Sequence, residues 1–278
     1  MTRRARAFRE VEKMAMVAGR ARALAASWRP WASAMRSAAW ALRRSASERK
    51  ATGRPSELEE LAAYLRLTPS EVAVLCALGA KLVAARWRAL APTSPEEIAQ
   101  FYAHCSEYLY DLVFWHLGDE YRSLLALLAD ERGGRCLSFG GGTGAEALYL
   151  AERGNEVWYL DVAGSPVWRF ASWRAQRRGY RVRFVSEWPD GVEFDCVVAF
   201  NVFGSLTPRQ LADVMPRIAA SLKPGGRLYC NNDFRPSPMH PYMFDNSELW
   251  ASLTKALSLV PVHGRLWLKE AGGESWAP

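Results

Sequence analysis

Along the first part of the chain, apolar positions recur at alternating steps of three and four, the period of one face of an α-helix. Met14, Val17, Ala21, Leu24, Trp28, Trp31, Met35, Ala38 and Leu42 trace such a face. Pro30 removes a backbone donor and clashes with the preceding turn, so the pattern predicts two helices there rather than one. Ser45 to Pro55 reads as a polar linker. Three helix starts follow, each a Ser or Thr with Glu three places on, the spacing at which two orphan backbone amides are satisfied reciprocally. They are Ser56 with Glu59, Thr68 with Glu71 and Ser94 with Glu97, with Pro69 and Pro95 at first helical positions. A further helix is expected from Asp119 to Gly133 and Gly134.

From Arg135 the period changes. Short apolar runs near 135–139, 156–161, 181–185, 195–201 and 226–231 alternate with amphipathic stretches near 144–153, 165–178 and 208–222, as a parallel α/β sheet requires. A helix near 246–257 and two strands, Ser258 to Val262 and Leu266 to Glu270, complete the chain. The expected organisation is a helical arm over 1–55, an all-helical cap over 56–130 and an α/β domain over 131–278.

Charge sharpens this division. The 278 residues carry a formal +7, but residues 1–55 hold 14 of the 36 Lys and Arg against three acids, +11, which leaves the remainder at −4. A mildly acidic body thus bears a strongly basic arm. The longest uncharged apolar run, Val72 to Ala80, is nine residues, well short of the roughly 20 a membrane-spanning helix needs. Basic residues cut every candidate leader segment short, which predicts a cytoplasmic protein. The five cysteines form no CxxC pair and sit mostly in apolar segments, so they read as reduced core residues, with neither zinc nor a disulfide framework expected.

The richest chemistry lies in Cys136-Leu-Ser-Phe-Gly-Gly-Gly-Thr-Gly144, an apolar strand running into a glycine-rich turn and then a helix. Gly140, Gly142 and Gly144, with Gly141 among them, let the backbone approach a ligand and turn sharply. Asp161 stands 21 residues after Gly140 at the end of the second strand, where it can accept hydrogen bonds from both hydroxyls of a ribose. The same turn also suits a tight βα connection that binds nothing.

In this order of elements the segment resembles the class I S-adenosylmethionine-dependent methyltransferases. The resemblance covers about residues 135–231, and more loosely the last two strands. Ser186-Glu187 follows the third strand, where the family places an acid near adenine. Phe194-Asp-Cys-Val-Val-Ala-Phe-Asn201 resembles its fourth motif, and Leu222-Lys-Pro-Gly-Gly-Arg-Leu228 its turn into the fifth strand. The resemblance implies a Rossmann-like seven-stranded sheet of order 3-2-1-4-5-7-6 with an antiparallel seventh strand. It implies S-adenosylmethionine as cofactor, held by Ser138, Phe139, Gly140, Gly141, Gly142, Gly144, Asp161, Val162, Glu187, Trp188 and Asn201. Two positions depart from the family: Ser138 stands where an acid is common, and Gly204-Ser205-Leu206 where many members carry a histidine.

Such a fold brings a nucleophile in line with an activated methyl group and excludes water, so a base is needed only where the acceptor must lose a proton. Candidate catalytic residues are Asn201, a contact shared by cofactor and acceptor, Asp233 and His240 as bases, and His116 above the site beside Tyr108, Tyr110 and Trp115. Each has a structural alternative in backbone capping, a solvated turn or packing. The acceptor is expected to be a small organic or lipid-like molecule, methylated at O, N, S or C. The alternatives are an RNA methyltransferase gripping phosphates with the basic arm and a catalytically silent cofactor-binding scaffold. The arm itself suits packing on the cap or on a second subunit, contact with an anionic membrane surface, or, less well, nucleic acid.

Overall fold

The computed structural model describes residues 28–270, and side chains from Ala32 to Glu270. The helical face expected from Met14 to Leu24 lies outside these residues. Helix α1 (Trp28–Thr52) carries Pro30 in its first turn, where the absent N–H breaks no hydrogen bond. It buries Ala34, Ala38, Ala41 and Ser45, while Met35 is exposed. The stripe is therefore rotated from the expected one, because small residues bring α1 close to the helix beneath it. The expected linker from Ser45 is also corrected. The helix continues to Thr52, since Ser45 turns inward and hydrogen-bonds the Ser56 hydroxyl while Arg49 pairs with Glu59 at 3.0 Å.

The cap comprises α2 (Glu57–Leu65), α3 (Pro69–Leu90), α4 (Pro95–His104), α5 (Ser106–His116) and α6 (Asp119–Ala126). All three expected capping boxes are formed: Glu59, Glu71 and Glu97 each return a carboxylate to the N-cap backbone. Helix α6 is shorter than expected; the chain leaves it in turns after Ala126 that bury Leu128 and Glu131. Helices α3 and α5 form the tightest crossing of the cap. A Cβ built on Gly79 would lie 2.5 Å from the Asp111 backbone nitrogen and 2.7 Å from its Cα.

Seven strands form one sheet: β1 (Arg135–Phe139), β2 (Glu156–Leu160), β3 (Val182–Val185), β4 (Phe194–Phe200), β5 (Leu222–Asn231), β6 (Leu259–His263) and β7 (Leu266–Lys269). Their order is β3-β2-β1-β4-β5-β7-β6, with β7 antiparallel to both neighbours, as expected. Helices α7 (Ala145–Glu152), α8 (Pro166–Arg178), α9 (Pro208–Ser221) and α10 (Ser247–Ala256) cover the sheet. The expected α/β class and its N-terminal helical layer are thus present. Strand β5 begins four residues earlier than expected, its Lys-Pro-Gly-Gly stretch accommodated by a register shift opposite Phe194 and Cys196.

All five cysteines are free and buried. Burial pushes the Cys105 thiol up to about 12 and raises Cys76 and Cys230 as well. For Cys196, a hydrogen bond with Cys136 and then burial act in the same direction. No single helix among the described residues is long and apolar enough to cross a membrane.

The α3–α5 crossing yields a test with a decisive sign. Helix propensity alone favours Ala over Gly by about 1 kcal/mol, whereas forcing a methyl into a filled contact costs about 1–3 kcal/mol. Gly79→Ala is expected to lower the urea midpoint. A raised midpoint would show that α5 yields without cost.

Candidate functional site

Strand β1 delivers the chain into the glycine loop at the carboxyl edge of the sheet, where β2 and β4 also end. Gly140 (φ +60°) and Gly142 (φ +52°) adopt the left-handed conformation that side-chain-bearing residues avoid. The space a side chain would take at each is filled by protein: added Cβ atoms would lie 2.7 Å from Val202 and 3.0 Å from Leu112 of α5 respectively. The Gly142 side of the loop is thus roofed by the cap. Gly144 is a packing residue, its absent Cβ leaving room for Ala171 of α8.

Asp161 follows β2. Its Oδ2 accepts from the Gly142 N–H at 2.8 Å and its Oδ1 from the Val162 N–H at 2.6 Å. Burial pushes this carboxyl up to about 6, outweighing the two backbone donors, and Glu146 acts in the same direction as burial. Each oxygen retains capacity for a further donor. The Tyr159 hydroxyl donates to the Gly142 carbonyl at 2.6 Å, so β2 and the residue that follows it hold this glycine from both sides.

Above the loop lies a cavity of about 390 Å³, within the range of small-ligand sites. Of the residues expected to hold the cofactor, Phe139, Gly140, Gly141, Gly142, Asp161, Val162 and Asn201 line it. Four expected contacts do not. Ser138 is buried within β1, its hydroxyl turned toward the underside of Gly141; Gly144 packs on α8; Glu187 is exposed; Trp188 packs on Phe139 with ring centroids 5.8 Å apart. Ser186 takes the place foreseen for Glu187.

A larger cavity of about 580 Å³ adjoins it. The two share Tyr108, Leu112, Trp115, Asn201 and Ser205 as walls. Asn201, itself at φ +55°, donates its N–H to Asn231 Oδ1 at 2.8 Å and accepts from Asn231 Nδ2 at 2.6 Å. Two strand ends are thereby locked where the cavities meet. Asp233 and His240 line only the larger cavity. Asp233 lies at its mouth in an ion pair with Arg235 at 2.9 Å, which holds its carboxyl below the usual range. Asp111 of α5 and Asn231 also line this cavity, and sequence patterning missed both. The available sign for Asp111 was one acid inside an apolar helical run, Tyr108 to Trp115.

His116 does not reach the larger cavity. It borders the smaller one and, on its other side, an arginine-rich cleft of about 460 Å³. Its ring stacks on Tyr121 at 3.9 Å, and its Nδ1 lies 3.0 Å from Glu57 Oε2 and 3.4 Å from the Thr143 hydroxyl. The placement above an acceptor is therefore corrected: His116 is fixed in a buried ionic cluster. Arg174 of α8 pairs with Glu57 (3.1 Å) and Glu60 (2.7 Å) of α2 and donates to the Thr143 carbonyl at 2.9 Å. Arg178 also pairs with Glu60, at 2.7 Å. Burial opposes ionisation of Glu57, yet Arg174 and His116 prevail and hold its carboxyl at about 2.

A family model described as a methyltransferase domain matches residues 114–270, just over half of the chain. No curated protein matches it. Among solved structures, the 1,6-didemethyltoxoflavin N1-methyltransferase of Burkholderia thailandensis, with 1,6-didemethyltoxoflavin and S-adenosylhomocysteine bound, is 24% identical. That match covers 64% of this chain and 92% of the other, with a TM-score of 0.50. An O-methyltransferase family protein from Burkholderia thailandensis is 17% identical over 72% of this chain and 73% of the other, with a TM-score of 0.51. These likenesses show a common fold.

The cluster beneath the loop generates a stability prediction. Glu57→Ala leaves Arg174 short of a buried counter-charge and His116 without its nearer hydrogen-bond partner, a change expected to cost about 3–5 kcal/mol in urea unfolding. In the unaltered protein this carboxylate's contribution is complete above its ordinary pKa of 4.5 and is lost as pH falls through about 2. An unfolding free energy unchanged by the substitution would show the cluster to be dispensable.

Proposed function

From the premise that this chain belongs to the methyltransferase-domain family and is an S-adenosylmethionine-dependent methyltransferase, we propose that it methylates a small organic molecule seated in the larger cavity. The observation that carries this is the wall of Tyr108, Leu112, Trp115, Asn201 and Ser205, common to two cavities of which only the smaller meets the glycine loop. The residues around the smaller cavity suit the cofactor. Asp161 offers free acceptor capacity to ribose hydroxyls, and the loop backbone can come close to the ligand. When bound, S-adenosylmethionine would supply an electrophilic methyl group with a neutral thioether as its leaving group.

The chain's own contribution is then positional. Tyr108, Leu112 and Trp115 cover the junction and keep water from it, while the Asn201–Asn231 pair fixes the junction's floor. The enclosing cap supports an acceptor of small-molecule size over a polynucleotide, which needs an open groove.

Calorimetric titration with S-adenosylhomocysteine tests the cofactor site. Asp161→Ala is expected to weaken binding by about 1–3 kcal/mol, the scale of lost charge-assisted hydrogen bonds. The ionised carboxylate is the better acceptor, and burial raises it to about 6, so affinity should fall as pH drops through about 6. Unaltered binding by the variant would remove Asp161 from the site. With methyl-labelled cofactor and a cell extract, label should enter the small-molecule fraction; label confined to RNA or protein would refute the acceptor assignment.

A further inference from the structure

The larger cavity carries a charge pattern that narrows the acceptor, given that this cavity is the acceptor site. Its cations stand at the mouth and already have partners: Arg235 with Asp233 at 2.9 Å, and Arg265 with Glu120 at 3.4 Å. Deeper in, on α5, Asp111 has no Lys or Arg within ion-pair distance among the described residues. Its one hydrogen bond there is to Oδ2, from the Tyr242 hydroxyl at 3.1 Å. The titratable groups that face it are His240 and Tyr242 from the loop after β5, Tyr108 and His116 from its own helix, and Cys76 from α3. None is a fixed cation. Burial accordingly raises the Asp111 carboxyl above its usual range.

The rest of the wall points the same way. Tyr108, Phe114, Trp115 and Tyr242 bring aromatic rings to the cavity, and ring faces attract cations. The interior thus offers a carboxylate and aromatic rings, and among the described residues it lacks an unpaired cation. A carboxylate or phosphate ligand would meet Asp111 unscreened. An alcohol would satisfy a hydrogen bond and leave the charge unbalanced.

We propose that the acceptor is an organic amine, received as its ammonium by Asp111 between the aromatic walls and methylated on nitrogen. An ammonium has no lone pair to offer, so one proton must leave before the new bond forms. It passes from nitrogen to Asp111 Oδ1, giving a neutral amine beside a neutral acid. The nitrogen lone pair then forms the C–N bond, and the product carries the positive charge brought by the methyl group. Loss of the held proton to solvent restores the carboxylate. Asp111 serves here as ligand and proton acceptor on one atom, and the α3–α5 crossing at Gly79 fixes its backbone.

The test uses the full chain loaded with S-adenosylhomocysteine and three probes of matched size: phenethylamine, phenethyl alcohol and 3-phenylpropionate. Calorimetry should find the amine bound at least about tenfold tighter than either other probe. Asp111→Asn should abolish that preference while leaving S-adenosylhomocysteine affinity unchanged, and Asp111→Glu should restore part of it. With methyl-labelled S-adenosylmethionine, phenethylamine should gain label on nitrogen at a rate that falls on acidification, and Asp111→Asn should move that fall to higher pH, toward the amine's own range, because no side chain then takes the proton. An amine bound no tighter than the alcohol or the carboxylate overturns the proposal, as does a preference that survives in Asp111→Asn. Failure of the unaltered protein to bind S-adenosylhomocysteine would instead refute the cofactor assignment on which the proposal rests.

Discussion

The molecule depends on one buried ionic joint. Helix α2 brings Glu57 and Glu60 to Arg174 and Arg178 of α8, His116 of α5 leans on the same carboxylate, and Arg174 reaches through to the Thr143 carbonyl in the glycine loop. Charges taken out of water add little net stability over apolar packing, but a mismatched arrangement strands them at great cost. The joint therefore selects one docking of cap on sheet. That docking sets Leu112 against Gly142 and carries Tyr108 and Trp115 to the boundary of both cavities. Without it the sheet would retain its loop and lose its roof.

What the amino-acid order reveals follows the range of the forces involved. Whereas the strand order came from the resemblance to the methyltransferase fold, the capping boxes and the glycine turn were legible because each rests on local chemistry. Asp161 was legible for the same reason, at a set distance beyond the loop. The ends of the linker were not. A run of Ser, Glu, Arg and Lys has the same composition on an exposed helical face as in a coil, and the contacts of Ser45 with Ser56 and of Arg49 with Glu59 decide the case. Trp188 and Glu187 were misplaced because a shift of one residue after β3 exchanges the cavity side for the outer side. Asp111 escaped notice for a related reason. A single acid in a helix has meaning only once the opposing loop, with Tyr242 and His240, is folded over it.

The two cavities treat charge differently although they share a wall. Around the smaller one, backbone N–H groups hold the acid in place, and a neutral sugar can complete its hydrogen bonds. Around the larger one, ion pairs gather at the mouth while the interior acid stays without a counter-ion. This separation means that molecules approaching from solvent meet a locally neutral rim before they meet the carboxylate. Selection by charge happens inside, where water screens it least.

The state of the sulfur atoms has a consequence of its own. A protein that holds a sulfonium keeps a potent alkylating agent in contact with its interior, and thiolates are the strongest nucleophiles a polypeptide carries. Cys76, Cys105, Cys196 and Cys230 are all driven toward the protonated, unreactive form, and every cysteine is shielded from solvent. None of them lines either of the two adjoining cavities, so no thiol faces the space where the sulfonium would sit.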